Sequence, residues 1–552
     1  MIPNQNVMPM EMFARQASNT PDKIYLRQPV NGNYRETSWA QAYDETLRLA
    51  QGLLDLGLQK GDRVGILSSN CDEWFISDYA LVAAGLIPTP IYSTAGESII
   101  SYVLEHSEAK AIIIGDISSI DAAKKAIPES VITVGMSTST AKWSHTISGL
   151  IETSPPLSLD AIYQPALSDT FSIVYTSGST GKPKGVVISY ETICYSAAVT
   201  VDLFDEGKEE RYLSYLPLAH VTERGLVEYT SLYFGATVTF NESLETFVRD
   251  LRSAQTSSFL SVPRLWVKFQ SQILASIPQR KLSIMLRIPI LSSIVKRKIK
   301  AQLGFDNTRM FGSGSAPISP AILQWYGKLG IDISEGWGMS ETMGLAVSQF
   351  PFNAAKVGTI GKALPGFDVK LSDAGEVLIK GPAVFSEYYK NPEVTAESFT
   401  DDGYFLTGDK ADIDADGYLR ITGRVKDIFK SGKGKYVAPV PIEAKLAANI
   451  LIEQLCVMGS GLPTAMAVVV LSEDIAKQMS KDEVAESLLK TAKEVNGQIE
   501  KHEVIGGIFI AKQPWTIDNG LLTPTMKVKR DKLEEKFLTL LGSQKDAVTW
   551  EA

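Results

Sequence analysis

Three cysteines and four histidines stand in a chain of 552 residues. Cys71, Cys194 and Cys456 lie too far apart to read as a disulfide framework or a zinc cluster, and their scarcity fits a reducing compartment. So few histidines leave little room for a histidine-rich metal site. Positive charge is also short. Lys and Arg number 54 against 63 Asp and Glu, a net charge of −9, which argues against a broadly basic nucleic-acid binder. No uninterrupted apolar run approaches the ~20 residues of a spanning helix. The nearest candidate, LSIMLRIPILSSIV from Leu282, is broken by Arg287 and Pro289. Basic residues flank it, and the segment reads as a solvated helix pair packed on its domain, with peripheral membrane contact through residues 280–300 as the alternative. The opening MIPNQNVMPMEMFARQ has no charged region leading into an apolar stretch, and the closing AVTWEA carries no lipidation or peroxisomal signal. The expected location is the cytoplasm, with membrane association left open. Internal repeats and low-complexity tracts are missing too, and nothing bears on oligomeric state.

What is present is ordinary globular material. Hydrophobic residues make up 44% and charged residues 21%, enough for a large core. Trp39 to Gly57 has apolar residues at helical spacing with Gly57 as a stop. RVGILSS is a short strand, DEWFISDYALVAAG a helix closed by Gly85, and AKAIIIGD another buried strand. This alternation predicts parallel sheets covered by helices, continued through Ile173–Tyr175, Ala236–Phe240 and Ser258–Val262. From Gly358 to Arg424 short strands and turn signals predict a compact β unit. Beyond Lys426 the texture is α/β again: AVVVLS, a charged helix from Asp474 to Gln498, the strand IGGIFIA and a basic tail. The expected fold class is therefore α/β. A large domain over residues 1–425 holds two helix-covered sheets and a distorted β unit, and a small α+β domain follows over 426–552.

Three stretches carry chemistry. FSIVYTSGSTGKPKGVV (171–187) is a strand running into a loop where Gly178, Gly181 and Gly185 let backbone N–H groups approach an anion. Ser177, Ser179 and Thr180 supply hydroxyls, and Lys182 and Lys184 supply charge. It is not a Walker A loop, because Pro183 follows Lys182. Composition alone leaves phosphate binding and a flexible polar loop both open. ISEGWGMSETMG (333–344) surrounds Trp337 and Glu341 with glycines. A flat aromatic stacks on a purine and a carboxylate holds Mg²⁺ bridging phosphates, while a plain turn with a buried Trp is the alternative. GYFLTGDKADIDADGYLRITGRVKD (403–427) puts Asp409 in a turn suited to accepting from ribose hydroxyls, with Arg424 as a charged donor. Asp412, Asp414 and Asp416 lack EF-hand spacing and read as a solvated hairpin.

The string YTSGSTGKPKGV, unbroken from Tyr175 to Val186, closely resembles the signature loop of the adenylate-forming (AMP-binding) superfamily, and the remaining motifs follow in that family's order across nearly the whole chain. The resemblance implies that Ser177, Gly178, Ser179, Thr180, Gly181, Lys182 and Lys184 hold the ATP phosphates. GWGMSE resembles the family's YGMTE motif, with Trp for Tyr and Ser for Thr, and implies adenine stacking by Trp337, an α-phosphate contact by Ser340 and Mg²⁺ ligation by Glu341 together with Thr180. Glu335, Gly336 and Gly338 belong to the same nucleotide site. FGSGSAPIS looks like the segment beside the adenine, implying Gly314, Ser315 and Ala316; Pro317 breaks a GxGxxG reading. The match further assigns ribose to Asp409 and Arg424 and the interdomain hinge to Lys426.

Near the end stands NGLLTPTMKVKRDKLEEKF, which read alone is an exposed basic segment before a helix. The family's mobile domain carries one lysine that contacts the acyl carboxylate and α-phosphate. The spacing to Arg530 assigns Lys527, with Lys529 as the fallback. The family's usual Gly before that lysine is Met526 here. SYLPLAHVTERG, SVPRLWVKF, KDIFKSGKGKYVAP and LLTPTMKVKR look most like long-chain fatty acyl-CoA synthetases, which places His220 near the carboxylate. The implied enzyme is an acid–thiol ligase. It activates a fatty acid with ATP and Mg²⁺ to acyl-AMP, then transfers the acyl group to CoA. Loading of a carrier protein and a non-catalytic nucleotide binder are the alternatives. Acyl chain length is not legible.

Overall fold

A computed structural model describes residues 2–176, 182–204, 207–477, 479–517, 519–523, 526–544 and 546–551, apart from the side chain of Asp474. The helix Trp39–Asp55 starts where Ser38 and Gln41 close a capping box, and it buries Trp39, Ala42, Leu49 and Leu53 on one stripe. The helix Asp72–Ala83 is buried almost all round, which is why its sequence shows little amphipathic contrast. The second of these helices packs on a five-stranded parallel sheet in the order Ile87–Tyr92, Arg63–Ser68, Ala111–Ile114, Ile132–Gly135, His145–Thr146. Its strands are runs such as Ile112–Ile114, fully buried as both-face-covered parallel strands must be.

A second five-stranded sheet begins parallel with Ser258–Ser261, Met310–Ser313 and Ile333–Trp337, then turns antiparallel through Val347–Ser348 and Lys362–Ala363. A third, four-stranded sheet joins Arg211–Ser214 and Thr237–Phe240 to the N-terminal strands Ile24–Val30 and Asn33–Ser38. The turn-rich stretch forms an antiparallel sheet of Asp368–Leu371, Glu376–Lys380, Phe405–Ile413 and Leu419–Arg424. Residues 452–550 build a separate mixed sheet around Ala465–Leu471, with its own cores on the two faces.

One expected helix differs. The charged run from Asp474 to Gln498 divides into Glu473–Ala476 and Lys481–Asn496, because Ser480 forms a capping box with Glu483 and starts the second helix afresh.

A buried ionic group ties the first sheets together. Arg224 is 1% exposed and grips Asp78, itself 0% exposed, through Nε and Nη2 at 2.7 and 2.8 Å. Nη1 of Arg224 donates to Ser172 Oγ at 2.6 Å. Burial first and Asp78 second hold the adjacent Glu228 carboxyl well above the usual carboxylate range, so it stays protonated. Arg224 opens a π-helical segment, Arg224–Tyr229, one residue past the short helix that His220 caps.

Candidate active site

The strands Thr170–Thr176 and Lys184–Ser189 pair antiparallel, with Thr176 opposite Lys184, so they deliver both ends of the glycine-rich loop to one place. Residues 177–181 of that loop, which include Ser177, Gly178, Ser179, Thr180 and Gly181, lie outside the described residues. Of its two lysines, only Lys184 faces the cluster below. Its Nζ sits 4.6 Å from the centroid of the Tyr388 ring, and its charge stabilises the Glu341 carboxylate. Lys182 lies instead over Tyr102, 5.6 Å from the ring centroid, beside the helix Glu97–Ser107.

Glu341 sits in a single 3₁₀ turn, Ser340–Thr342, directly after the strand Ile333–Trp337. The approach is tight: a Cβ on Gly338 would stand 1.4 Å from the Gly344 carbonyl oxygen, so only glycine fits. Ser340 and Glu341 are both buried. Tyr388 Oη donates to Glu341 Oε1 at 2.8 Å, which leaves Oε2. Burial raises the Glu341 carboxyl, and Tyr388, Arg424 and Lys184 oppose that rise. A buried carboxylate whose second oxygen has no side-chain partner among the described residues suits Mg²⁺, which keeps waters and takes its other ligands from phosphates.

Strand register builds the next group. Asp409 and Arg424 are directly opposite across the pair Phe405–Ile413 and Leu419–Arg424. Arg424 Nε donates to Asp409 Oδ1 at 2.7 Å, and Trp337 Nε1 donates to Asp409 Oδ2 at 2.8 Å. The Asp409 carboxylate thus holds the indole and the guanidinium at once. Gly314 lies against the Gly336 carbonyl, where a Cβ would come to 3.3 Å, and Ser315 takes the left-handed region at φ 67°. Ala316 is exposed beside them.

Lys527 enters the same electrostatic neighbourhood. It is exposed at the rim of that site, where partial desolvation and then Arg424 lower its ammonium, while Asp409 and Glu341 pull it back up. Its backbone is fixed by two hydrogen bonds with Thr523, at 2.8 and 3.0 Å. Met526 occupies the left-handed region at φ 64°, and Arg264 Nη1 reaches its sulfur at 3.6 Å. His220 faces the same space. Burial and the Lys527 charge push its imidazole down to about 3, so it is neutral, with Nδ1 accepting from Thr222 N at 3.2 Å. Lys529, in contrast, leads into the final helix Arg530–Gly542. Lys426 is exposed two residues after Arg424, and Asp427 beside it meets Arg530 Nε at 3.6 Å.

Behind Glu335 and Gly336 opens an apolar cavity of ≈ 780 Å³, counting the open space at its mouth, walled chiefly by aromatic and aliphatic side chains such as Phe204, Leu226, Phe259, Phe311 and Phe350. None of those five was a candidate from sequence. They are ordinary core residue types, and only their convergence marks them. Two carboxyls line this wall, Glu223 and Glu335, each pushed up to about 8 by burial. Glu335 Oε2 accepts from Gly358 N at 3.2 Å. Between pH 4.5, the ordinary value, and about 8 the folded chain keeps a proton on Glu335 that the unfolded chain has shed. Stability therefore falls as pH rises through that window, by at most ~1.4 kcal/mol per unit. Glu335→Gln, which mimics the neutral acid, should flatten that slope by one proton. Unfolding midpoints measured from pH 5 to 8 check this, and an unchanged slope would place the proton elsewhere.

Residues 13–389 match the family model described as AMP-binding enzyme, and residues 426–542 match the AMP-binding enzyme C-terminal domain. The chain belongs to the AMP-binding enzyme family. Within it, the chain is 31% identical to a long-chain-fatty-acid–CoA ligase of Mycobacterium bovis, over 94% of this chain and 93% of that one. It is 28% identical to the peroxisomal long chain acyl-CoA synthetase 6 of Arabidopsis thaliana, over 92% of this chain and 81% of that one. Among solved structures, the A domain of carboxylic acid reductase from Segniliparus rugosus, in complex with AMP and a co-purified carboxylic acid, superposes with a TM-score of 0.81. That likeness has 20% identity and covers 98% of this chain and 94% of that one; it establishes a shared α/β architecture of AMP-binding enzymes. Within the AMP-binding family, these relatives put this member close to the long-chain acyl-CoA synthetases.

Proposed function

We propose that this protein is an acid–thiol ligase that activates a fatty acid with ATP to acyl-AMP and passes the acyl group to CoA. One observation carries the reading: Lys527, from near the end of the chain, shares one electrostatic cluster with Glu341, Asp409 and Arg424 beside an apolar cavity.

A carboxylate is a poor acyl donor because oxide would have to leave. Joining it to AMP supplies a good leaving group, and the step demands charge neutralisation rather than covalent catalysis by the protein. Trp337 offers its ring face to the purine, and Asp409 accepts from the ribose hydroxyls while Arg424 fixes its orientation. Lys184 and Lys527 place positive charge where the α-phosphate and carboxylate meet. Neutral His220 leaves the substrate carboxylate without a competing cation and presents its Nε2 side as a donor. Glu341 and Thr180 would hold Mg²⁺, which would supply Lewis-acid neutralisation of the phosphates. The neutral, apolar cavity suits an alkyl chain, and the protonated states of Glu223 and Glu335 keep charge out of it. The hinge at Lys426, dividing residues 1–425 from 426–552, would withdraw Lys527 before a thiol attacks.

Carboxylate-dependent ATP–pyrophosphate exchange over short to long fatty acids and the common amino acids tests the first half. Exchange should peak with long-chain acids, and net pyrophosphate release should then require CoA. Exchange with no acid would overturn the reading, and release that needs a carrier protein instead of CoA would replace the acceptor.

A further inference from the structure

From Leu251 to Phe305 the chain contains no acidic residue, although the whole protein carries a net charge of −9. Within this stretch lie the helices Gln279–Arg287 and Pro289–Leu303, joined at Ile288. They are the expected helix pair, but their outer side is not simply polar. Ile284, Ile288, Ile290 and Ile294 are 55%, 50%, 79% and 48% exposed. The inner side explains why. Leu282, Val295, Ile299 and Leu303 at helical spacing bury into a core shared with Phe259 and Phe311, which also wall the apolar cavity. The four isoleucines fall outside that stripe, and none of them belongs to a core among the described residues.

The order of residues is informative. All four isoleucines lie within six residues of the joint at Ile288, so at 1.5 Å per helical residue they sit within ~9 Å of it along either helix. Arg280 and Lys281 precede them, and Lys296, Arg297 and Lys298 follow, farther from the joint. An apolar tip with a cationic collar matches the way interfacial helices bury apolar side chains ~5–10 Å into the headgroup boundary while Lys and Arg meet lipid phosphates. Arg287, beside the tip, has the length to reach the same level. The chain has no helix long and apolar enough to cross a membrane among the described residues, so the contact is with a surface.

We propose that the helix pair 279–303 docks the protein on an anionic lipid surface. A long-chain carboxylic acid partitions into such a surface, and the shared core would set the cavity beside its source. That link rests on the function proposed above, whereas lipid docking itself does not.

The test is co-sedimentation of the full chain with phosphatidylcholine vesicles, with or without about a third phosphatidylglycerol. Binding is expected to the anionic vesicles, weakened by high salt and weak without phosphatidylglycerol. The exposed-residue variant Arg297→Glu/Lys298→Glu should lower partitioning by at least roughly 25-fold, about fivefold per cation lost. Replacing Ile284, Ile288, Ile290 and Ile294 by serine should lower it at least as far, with exchange activity on a short, soluble acid and the unfolding midpoint unchanged for both variants. Equal binding to both vesicle types, or variants that bind like the parent, overturns the proposal. So does a solution dimer that the serine variant splits without change in vesicle binding, since the face would then belong to a second copy of the chain.

Discussion

Lys527→Ala will cut carboxylate-dependent ATP–pyrophosphate exchange by roughly 10²–10³-fold, the loss typical when one pre-placed charge donor is removed from a developing anion. It will leave acyl transfer from supplied acyl-AMP to CoA largely intact. The asymmetry follows from geometry. In this conformation the Lys527 charge acts on Asp409, Glu341, Arg424 and His220, the groups to which we assign the nucleotide and the substrate carboxylate. A thiol attacking a preformed adenylate needs that space cleared. Lys529→Ala should alter exchange far less, because Lys529 leads into the helix Arg530–Gly542. Single-turnover assays of each half-reaction decide the matter. Equal loss in both would show that Lys527 supports structure rather than adenylation, and a larger loss from Lys529→Ala would reverse the assignment. Lys527→Arg adds a pH readout. Protein surroundings lower the Lys527 ammonium, so the alkaline fall in exchange should begin below the ordinary lysine range. Arginine does not deprotonate there, so that limb should vanish while some activity remains.

The second large effect concerns stability. Arg224→Leu should cost about 3–5 kcal/mol, because it leaves the Asp78 carboxylate buried without its partner. The protonated Glu228 beside it offers no positive charge in return. Asp78→Leu/Arg224→Leu should recover most of that loss, since apolar replacement of a whole buried ion pair is often neutral. Urea midpoints of the two single variants and the double variant give the coupling directly. A single variant within ~1 kcal/mol of the parent would mean that water or relaxation reaches Asp78 and that the pair is not the clasp described.

Local pattern made much of the molecule readable in advance. Short continuous apolar runs marked Arg63–Ser68 and Ala111–Ile114 as strands buried on both faces, and period-3.6 apolar spacing marked Trp39–Asp55 as a helix buried on one stripe. The Trp337–Glu341 turn and the strands of Asp409 and Arg424 stood out as candidates as well, because the phosphate and ribose chemistry we propose for them needs particular residue types at short spacing. What the spacing left open was which distant groups would meet. Strand register made Asp409 and Arg424 opposite neighbours, and packing then turned Trp337 onto the same carboxylate and Tyr388 onto Glu341. Lys182 and Lys184 look alike in sequence, yet the hairpin sends them to different surroundings.

By itself, then, the sequence determined the α/β class, the order of the nucleotide motifs and the candidate chemistry, since each depends on residues close together in the chain. Only tertiary structure decided the neutral state of His220, Glu223 and Glu335, the apolar cavity, and the outward turn of four isoleucines. Burial and electrostatic fields are sums over segments hundreds of residues apart, and no local pattern contains them.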